Sequence, residues 1–343
     1  MQDTVDIPRP ARLYRRIAAT ALRRRLIPKR REAVLPERTL IAEHPGISST
    51  TAAQYTRLLG GEAYDGQHRQ SLASVLVHTA GFPLQMALMG RPDFPLPLLG
   101  LVHLHNRVEH RRPIPPDVPL HVTVTARHLA AHRRGTQVEI VVDITPVADS
   151  QAGETATSGS VPAEPAWTGV STYLCRGLHL LDAEGGTGSP GSGPGKSASG
   201  AGGHAAGGSR ADTRLELPPK TALWHFSAGA GRDYASVSGD FNPIHLSSAV
   251  AKAFGMPAAI LHGMYAAGMA LEGREPEHAG HSWEVTFASP IVLPARVAFG
   301  VDTPGHNTAG QQAQASDGDV RFAGWDPRTG REHFRGSLSL PAG

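Results

Sequence analysis

Apolar and polar residues alternate in two separate parts of the 343-residue chain, and each part predicts a group of strands. The first group is predicted at 35–41, 98–108, 120–128, 137–144 and 167–176, and the second at 222–227, 282–289, 295–301, 311–323 (with a turn at 317–318) and 332–340. Antiparallel strands that follow a long helix are typical of the α+β class.

Each group of strands is accompanied by segments that predict helices. Residues 71–89 are apolar almost all round, so we expect a buried helix, which Pro83 kinks or ends. The other predicted helices are 50–59, with Ser48 or Ser49 as its N-cap, then 228–237 and 263–271. A central buried helix wrapped by a sheet is therefore expected in both parts of the chain.

The two parts repeat the same order of elements. The segment HTAGFPLQMALMG in the first part parallels HGMYAAGMALEG in the second, which indicates one domain that has been duplicated. A stretch rich in Gly, Ser, Ala and Pro separates them and predicts a flexible linker. The predicted organisation is a basic tail over 1–35, a first domain over 36–180, a linker over 181–212 and a second domain over 213–343.

Positive charge is concentrated near the N-terminus. The net charge is only +3 at pH 7, yet residues 9–31 hold ten Arg and Lys residues. Such a segment can bind nucleic acid, an anionic membrane surface or an acidic partner, or can be a solvated, partly helical tail. We favour the solvated tail and expect no nucleic-acid partner.

The composition of the chain also bears on the cellular compartment in which the protein is expected. No stretch approaches the ~20 apolar residues that cross a bilayer, so we expect no transmembrane helix. Cys175 is the one cysteine, which excludes an internal disulfide and is consistent with a cytoplasmic protein. Cys175 lies in a predicted strand, where a core residue is favoured over a nucleophile.

The segment 239–245, Gly-Asp-Phe-Asn-Pro-Ile-His, holds a carboxylate and an imidazole five positions apart. Side chains at that spacing diverge on a helix. Pro243 biases Asn242 away from helical conformation, so we expect a rigid, non-helical loop. Such a loop would direct Asp240 and His245 at one point, as an acid/base pair.

The triplet His262-Gly263-Met264 precedes an Ala-rich segment with good helix propensity. Gly263 is then expected in the first turn, where main-chain N–H groups have no partner within the helix. A ligand oxygen can approach a glycine amide closely, and the helix dipole favours negative charge there. The triplet therefore predicts an oxyanion site.

Together, Y-A-S-V-S-G-D-F-N-P-I-H (234–245) and I-L-H-G-M (260–264) resemble the MaoC-type, or hydratase 2, acyl-thioester hydratases and dehydratases. The organisation of the chain is most similar to that of the bacterial double-hotdog 3-hydroxyacyl-thioester dehydratases. The resemblance implies a double hotdog fold and reversible hydration of a trans-2-enoyl thioester to an (R)-3-hydroxyacyl thioester.

The resemblance also implies the roles of the site residues. Asp240 accepts a proton from the water that attacks C3, and His245 binds the same water and moves a proton at C2. Gly263 N–H receives the thioester oxygen, and Asn242 fixes the loop or bonds the thioester. His262 caps the helix or supports the loop rather than taking part in the chemistry. No cofactor and no metal are expected.

In the first part of the chain, the segment GGEAYDGQHRQSLAS occupies the position that corresponds to the motif 239–245. It contains neither the Gly-Asp-x-Asn-Pro-x-His pattern nor a His-Gly-Met triplet. The resemblance implies a degenerate copy that widens the acyl-chain tunnel, which 92–99 would line unless it is a surface loop. His103 and His105 are expected on one face of a strand, without the further ligands of a zinc site. We expect Tyr234 to pack against the motif loop.

Several alternatives stay open. A hotdog thioesterase would need a nucleophile or a carboxylate on 264–271, which has neither. A protein that binds acyl thioesters without turnover would not need Asp240 and His245. The substrate is carried by CoA or by acyl carrier protein, which would then be a partner, and the chain is a monomer or a homodimer.

Overall fold

The computed structural model describes residues 2–8, 33–61, 71–98, 100–147, 164–181, 217–302 and 319–340. The strands are β1 (Gln2–Thr4), β2 (Thr39–His44), β3 (Leu101–His110), β4 (Leu120–His132), β5 (Gly135–Pro146), β6 (Trp167–Arg176), β7 (Lys220–Phe226), β8 (His281–Phe287), β9 (Ala295–Asp302), β10 (Asp319–Trp325) and β11 (Glu332–Ser339). The helices are α1 (Ser49–Leu58), α2 (Ser74–Met89), α3 (Ala230–Ser238), α4 (Pro243–Leu246), α5 (Ser248–Ala253) and α6 (Gly263–Leu271). Within these ranges, no helix combines the length and the apolar character that crossing a membrane requires.

The strands form one sheet of eleven in the order β1-β2-β4-β5-β6-β3-β8-β11-β10-β9-β7. The first half contributes β2-β4-β5-β6-β3 and the second contributes β7-β9-β10-β11-β8, so the same order of five occurs twice. The halves join where β3 pairs with β8 in antiparallel register, with Val108 opposite Trp283. The fold is a double hotdog of the α+β class, as the sequence predicts.

One buried helix in each half lies against the sheet. Helix α2 is buried along most of its length and packs on β2, β4 and β5. Helix α6 is its counterpart, and the two helices contact each other. Pro83 lies inside α2 and does not end it, because the helix continues to Met89. Pro83 lies on the partly exposed face of α2, and in a helix that packing holds along its other faces the loss of one main-chain hydrogen bond is tolerated.

The start of α2 connects the two halves. The Ser74 hydroxyl accepts hydrogen bonds from the indole N–H groups of Trp167 and Trp283, both at 2.9 Å. The Ser74 main-chain N–H donates to both carboxylate oxygens of Glu275, at 3.2 and 3.1 Å. The N-cap residue of this helix makes no side-chain cap bond. Glu275, from the second half, therefore supplies the acceptor and the negative charge that a helix N-terminus favours.

The N-terminus begins with a short strand that the sequence analysis did not predict within the basic tail over 1–35. Residues 2–4 form β1, which pairs in parallel with β2 and is held by an Arg38–Asp3 salt bridge of 2.7 Å. Three residues are too few for a period to be visible in the sequence. Strand β2 also begins at Thr39 rather than at 35. The basic segment 9–31, predicted to be a solvated tail, lies outside the described residues, as do the linker from 182 onward and the predicted turn at 317–318.

Candidate active site

The turn after α3 orients Asp240. Gly239 closes the helix with a φ of 72°, a left-handed conformation that glycine adopts without strain. The Asp240 N–H donates to the Ser238 hydroxyl at 3.2 Å, and Asp240 Oδ1 accepts from the Asn242 N–H at 3.0 Å. One carboxylate oxygen is thus committed to the turn, and its orientation is set by the main chain.

The motif segment is partly helical, which corrects the expectation of a non-helical loop. Helix α4 begins at Pro243, and the Asn242 side chain caps it by accepting from the Ile244 N–H at 3.4 Å. Proline suits the first position of a helix, where its fixed φ fits and its missing N–H has no partner to lose. Asp240 precedes this turn of helix and His245 lies on it, so their side chains still converge.

The neighbours of His245 determine its tautomer. His245 Nδ1 lies 2.8 Å from the main-chain oxygen of Ile260, an acceptor, so Nδ1 carries the proton. Nε2 of the neutral ring then has a free lone pair. Burial lowers the pKa of His245, and the Asp240 carboxylate and the Ile260 hydrogen bond oppose this effect. His245 is therefore suited to accept a proton at Nε2.

His262 supports the loop. It occupies the N-cap position of α6 but makes no capping bond. Its Nε2 donates instead to the main-chain oxygen of Asp240 at 3.0 Å, and its ring stacks on His245 with centroids 3.8 Å apart. Tyr234 covers the ring, at 5.0 Å. Burial, and secondarily the nearby His245, lower the pKa of His262 to about 3, so this ring is a neutral donor near pH 7.

The three polar side chains form a compact cluster. Ligand atoms of Asp240, His245 and His262 all lie within 4.8 Å of one another. The Asp240 side chain retains 19% of its exposure, so the cluster is not sealed from solvent. A water that binds two groups at about 2.8 Å each fits between atoms at this separation. The same atoms could hold a divalent cation, but His262 would then lose its bond to Asp240 O.

Gly263 is the first residue of α6. Within the described part of the chain, no acceptor bonds to its N–H, as expected for the first turn of a helix. A Cβ atom at this position would lie 2.9 Å from the ring of Phe287, closer than van der Waals contact allows. Glycine therefore keeps the amide uncovered beside an aromatic wall, and a developing oxyanion is suited to this position.

Two contributors were not predicted from the sequence. Gly231 on α3 packs directly against the main chain of His245, where a Cβ would lie 2.0 Å from the carbonyl oxygen. Ser238 receives the Asp240 N–H, as described above. Neither has a sequence signal of its own, because glycine and serine are common in helices that pack closely, and only the neighbouring main chain gives them a role.

The two histidines of β3 do not share a face. A β-bulge lies between His103, opposite Tyr173, and His105, opposite Thr172. A bulge inserts one residue and so reverses the alternation of faces. His103 stacks on Tyr173 at 4.8 Å, whereas His105 bonds to Thr286 at 3.0 Å. The expectation that both face one way was wrong, because alternation alone does not reveal a bulge.

Comparison with known proteins places this arrangement in a family. A family model described as a MaoC like domain matches residues 215–321. The chain is 31% identical over 295 residues to 3-hydroxyacyl-thioester dehydratase X of Mycobacterium tuberculosis, a match that covers 85% of this chain and 84% of that protein.

Solved structures have the same architecture. The crystal structure of HtdX from Mycobacterium tuberculosis superposes with a TM-score of 0.62 and 25% identity, covering 89% of this chain and 100% of that one. The MaoC-like dehydratase from Phytophthora capsici, 18% identical, matches in fold with a TM-score of 0.59 over 90% of this chain and 97% of that one. The chain belongs to the MaoC-like dehydratase family.

Proposed function

We propose that the protein is a hydro-lyase that interconverts trans-2-enoyl and (R)-3-hydroxyacyl thioesters. The observation that carries the proposal is the convergence of Asp240, His245 and His262 within 4.8 Å, with Gly263 next to His262 at the start of α6. The relationship to a 3-hydroxyacyl-thioester dehydratase supports the same substrate class.

A single proton can travel through the site in hydration. The water oxygen bonds to C3 as one water proton passes to Asp240, and the C2=C3 electrons move onto the thioester oxygen. That oxygen accepts a hydrogen bond from Gly263 N–H. The proton then passes from Asp240 through His245 Nε2 to C2 as the carbonyl re-forms. The proton that leaves the water equals the one that C2 gains, so both side chains end as they began.

Each group contributes a definable part of the rate. A positioned acid or base contributes about 10²–10⁴-fold. One oxyanion donor contributes about 10²–10³-fold. Dehydration follows the same steps in reverse. His262 and Asn242 have supporting roles in this scheme: His262 holds the Asp240 main chain, and Asn242 caps α4.

We also propose that residues 213–343 form the catalytic unit and residues 36–180 a partner without its own acid/base pair. The carrier is CoA or acyl carrier protein, and the compartment is the cytoplasm, where Cys175, the one cysteine of the sequence, stays reduced. The counterpart of the motif in the first half is 60–74, of which 62–70 lie outside the described residues.

The proposal is tested with the purified protein and trans-2-enoyl-CoA substrates, crotonyl-CoA first, by the loss of enoyl absorbance. We expect wild-type turnover, and a fall in kcat of about 10²–10⁴-fold for Asp240→Asn, which keeps the acceptor Oδ1 of the turn but not the base. Asp233→Asn, an exposed carboxylate on α3, is the matched control and should retain wild-type kcat.

No change in absorbance with short and long enoyl chains, on CoA and on acyl carrier protein, would remove the hydratase assignment. Release of free thiol instead of hydration would identify a thioesterase. Tight binding without either reaction would indicate a carrier of acyl thioesters.

A further inference from the structure

The first half of the chain places a group of buried polar side chains next to the candidate active site. Its members lie on helix α2 and on two neighbouring strands of the sheet, β3 and β6. This first-half polar cluster consists of His78 and Gln85 on α2, His103 and Asn106 on β3, and Ser171 and Tyr173 on β6; all are buried except His103, which is partly buried with a buried Nε2 atom. The reaction scheme above uses none of them.

Hydrogen bonds within the cluster satisfy only some of its polar atoms. The Ser171 hydroxyl donates to Asn106 Oδ1 at 2.8 Å, and the Tyr173 hydroxyl donates to Gln85 Oε1 at 3.5 Å. Gln85 and Asn106 are fully buried. With both amide oxygens already accepting, the two amide nitrogens remain, and an amide nitrogen is a donor.

Four buried atoms of the cluster have no hydrogen-bond partner among the described residues. They are His78 Nδ1, Gln85 Nε2, His103 Nε2 and Asn106 Nδ2. Burial of an unsatisfied polar group destabilises a fold, and native proteins contain few such groups. Two such atoms on α2 and two on β3 therefore indicate a site that a further group completes.

The cluster borders the proposed reaction centre. Burial lowers the pKa of His78 to about 4 and contributes most to lowering that of His103 to about 3, and the Asp240 carboxylate is close enough to oppose both shifts. The His103 ring also lies 5.2 Å from the ring of Phe287, which forms the wall beside Gly263. An acyl chain that extends from the site toward the first half would meet this cluster.

We propose that the first-half polar cluster is a subsite for an oxygen atom on the acyl chain. It would make the enzyme selective for acyl thioesters with a hydroxyl or oxo group beyond C3. A hydrocarbon chain would bury the amide donors of Gln85 and Asn106 without a partner, whereas an oxygen would accept from them. This inference rests on the proposed function for the direction of the chain.

The test compares kcat/KM for trans-2-octenoyl-CoA with that for the same thioester bearing a hydroxyl or oxo group at C5, C6, C7 or C8. We expect at least one oxygenated substrate to be preferred about 10-fold or more, the effect of one or two hydrogen bonds. In Gln85→Met and in Asn106→Leu, that preference should fall to about 3-fold or less.

His110→Leu is the matched control. His110 is another buried histidine of β3 with an unpartnered Nδ1, but it bonds to Ser71 and lies beside His281, away from the cluster. Its replacement should leave the preference for the oxygenated substrate at the wild-type ratio. Circular dichroism and thermal unfolding identify any variant that fails to fold. If either Gln85→Met or Asn106→Leu fails to fold, the substrate preference of the other variant tests the proposal.

Equal kcat/KM for both classes in the wild type, or an oxygen preference that survives both cluster variants, would overturn the subsite and indicate that bound water fills it. If no enoyl thioester reacts, the proposed function fails separately. The subsite is then judged by calorimetric binding of octanoyl-CoA against 5-, 6-, 7- and 8-hydroxyoctanoyl-CoA. A 10-fold tighter complex with at least one hydroxylated ligand would support it, and equal affinity throughout would reject it.

Discussion

Gly231 and the main-chain carbonyl of His245 pack against each other with no space for a side chain: a Cβ on residue 231 would lie 2.0 Å from that oxygen. A second link joins the same helices, since Arg232 Nη1 donates to the main-chain oxygen of Leu246 at 3.2 Å. Helix α3 therefore sets the position of α4, and through it the distance from His245 to Asp240.

Replacing Gly231 with Ala should displace α4, because the clash is with main chain and no side-chain rotation relieves it. We expect kcat for hydration to fall about 10²-fold, the order of effect of a 1 Å displacement at a reacting group. Gly229→Ala is the control: its Cβ meets nothing closer than 3.4 Å, so activity should persist. Wild-type kcat in Gly231→Ala would show that α3 does not position His245.

His262→Phe should keep the stacking on His245 but remove the hydrogen bond to Asp240 O. Loss of that hydrogen bond should lower the free energy of unfolding by about 1–3 kcal/mol and reduce kcat more than it changes KM. His262→Gln, which restores a donor, should recover most of the loss. Since the pKa of His262 is about 3, the dependence of kcat on pH near neutrality should keep its shape in His262→Gln. A change in the pH at which kcat rises or falls would mean that His262 itself titrates in catalysis.

Gly263→Ala should push the Phe287 ring away or cover the amide, since the added Cβ would lie 2.9 Å from the ring. We expect kcat to fall at least 10-fold, through loss of access to the oxyanion donor. The double variant with Phe287→Leu provides space for the methyl group. Partial recovery of kcat in the double variant would support a steric cause, and full activity in Gly263→Ala alone would argue against an oxyanion role.

A fall in pH should begin to destabilise the fold at pH values well above those at which carboxylates titrate. Burial contributes most to lowering the pKa values of His103, His110 and His262 to about 3, and that of His78 to about 4, from the usual 6.5. The unfolded chain therefore binds more protons between pH 6.5 and about 3. Stability is fully present above pH 6.5 and is lost as the pH falls through that window.

The measurement is the free energy of unfolding in urea from pH 7.5 to 4.5. Each such histidine contributes a slope of up to about 1.4 kcal/mol per pH unit. His110→Gln removes one of these histidines outside the active site. It should reduce the slope of the free energy of unfolding against pH by up to about 1.4 kcal/mol per pH unit. A free energy independent of pH over this range would contradict the burial of neutral imidazoles.

Removal of metal ions should not affect hydration. The chemistry proposed for Asp240, His245 and Gly263 needs no Lewis acid, and His262 uses its N–H to hold Asp240 O. Protein dialysed against EDTA and then transferred to metal-free buffer should keep its full kcat, and added Zn²⁺ should inhibit if it occupies the cluster. Loss of activity with EDTA, restored by a divalent cation, would assign the cluster to a metal.

The local pattern of apolar and polar residues was sufficient to predict much of the fold. Alternation along the strands and the nearly uniform apolar character of 71–89 and 263–271 follow from neighbours a few positions apart. Those signals predicted the buried helices, the duplicated order of elements and the α+β class. They missed β1, the bulge in β3 and helix α4, because each depends on a short segment whose conformation is set by the structure that it packs against.

For the candidate site, the sequence was sufficient to identify the residue types, which lie in the motif 239–245 and in the triplet that opens α6. Their distances, hydrogen bonds and tautomers depend on the tertiary structure. The tautomer of His245 depends on Ile260 O, and the cap of α2 comes from Glu275, 201 positions from Ser74. The Asp240 carboxylate of the second half also acts on the pKa of His78 and His103 of the first half. Contacts at such separations leave no periodic trace in a chain, because they arise from the packing of elements rather than from the order of neighbours.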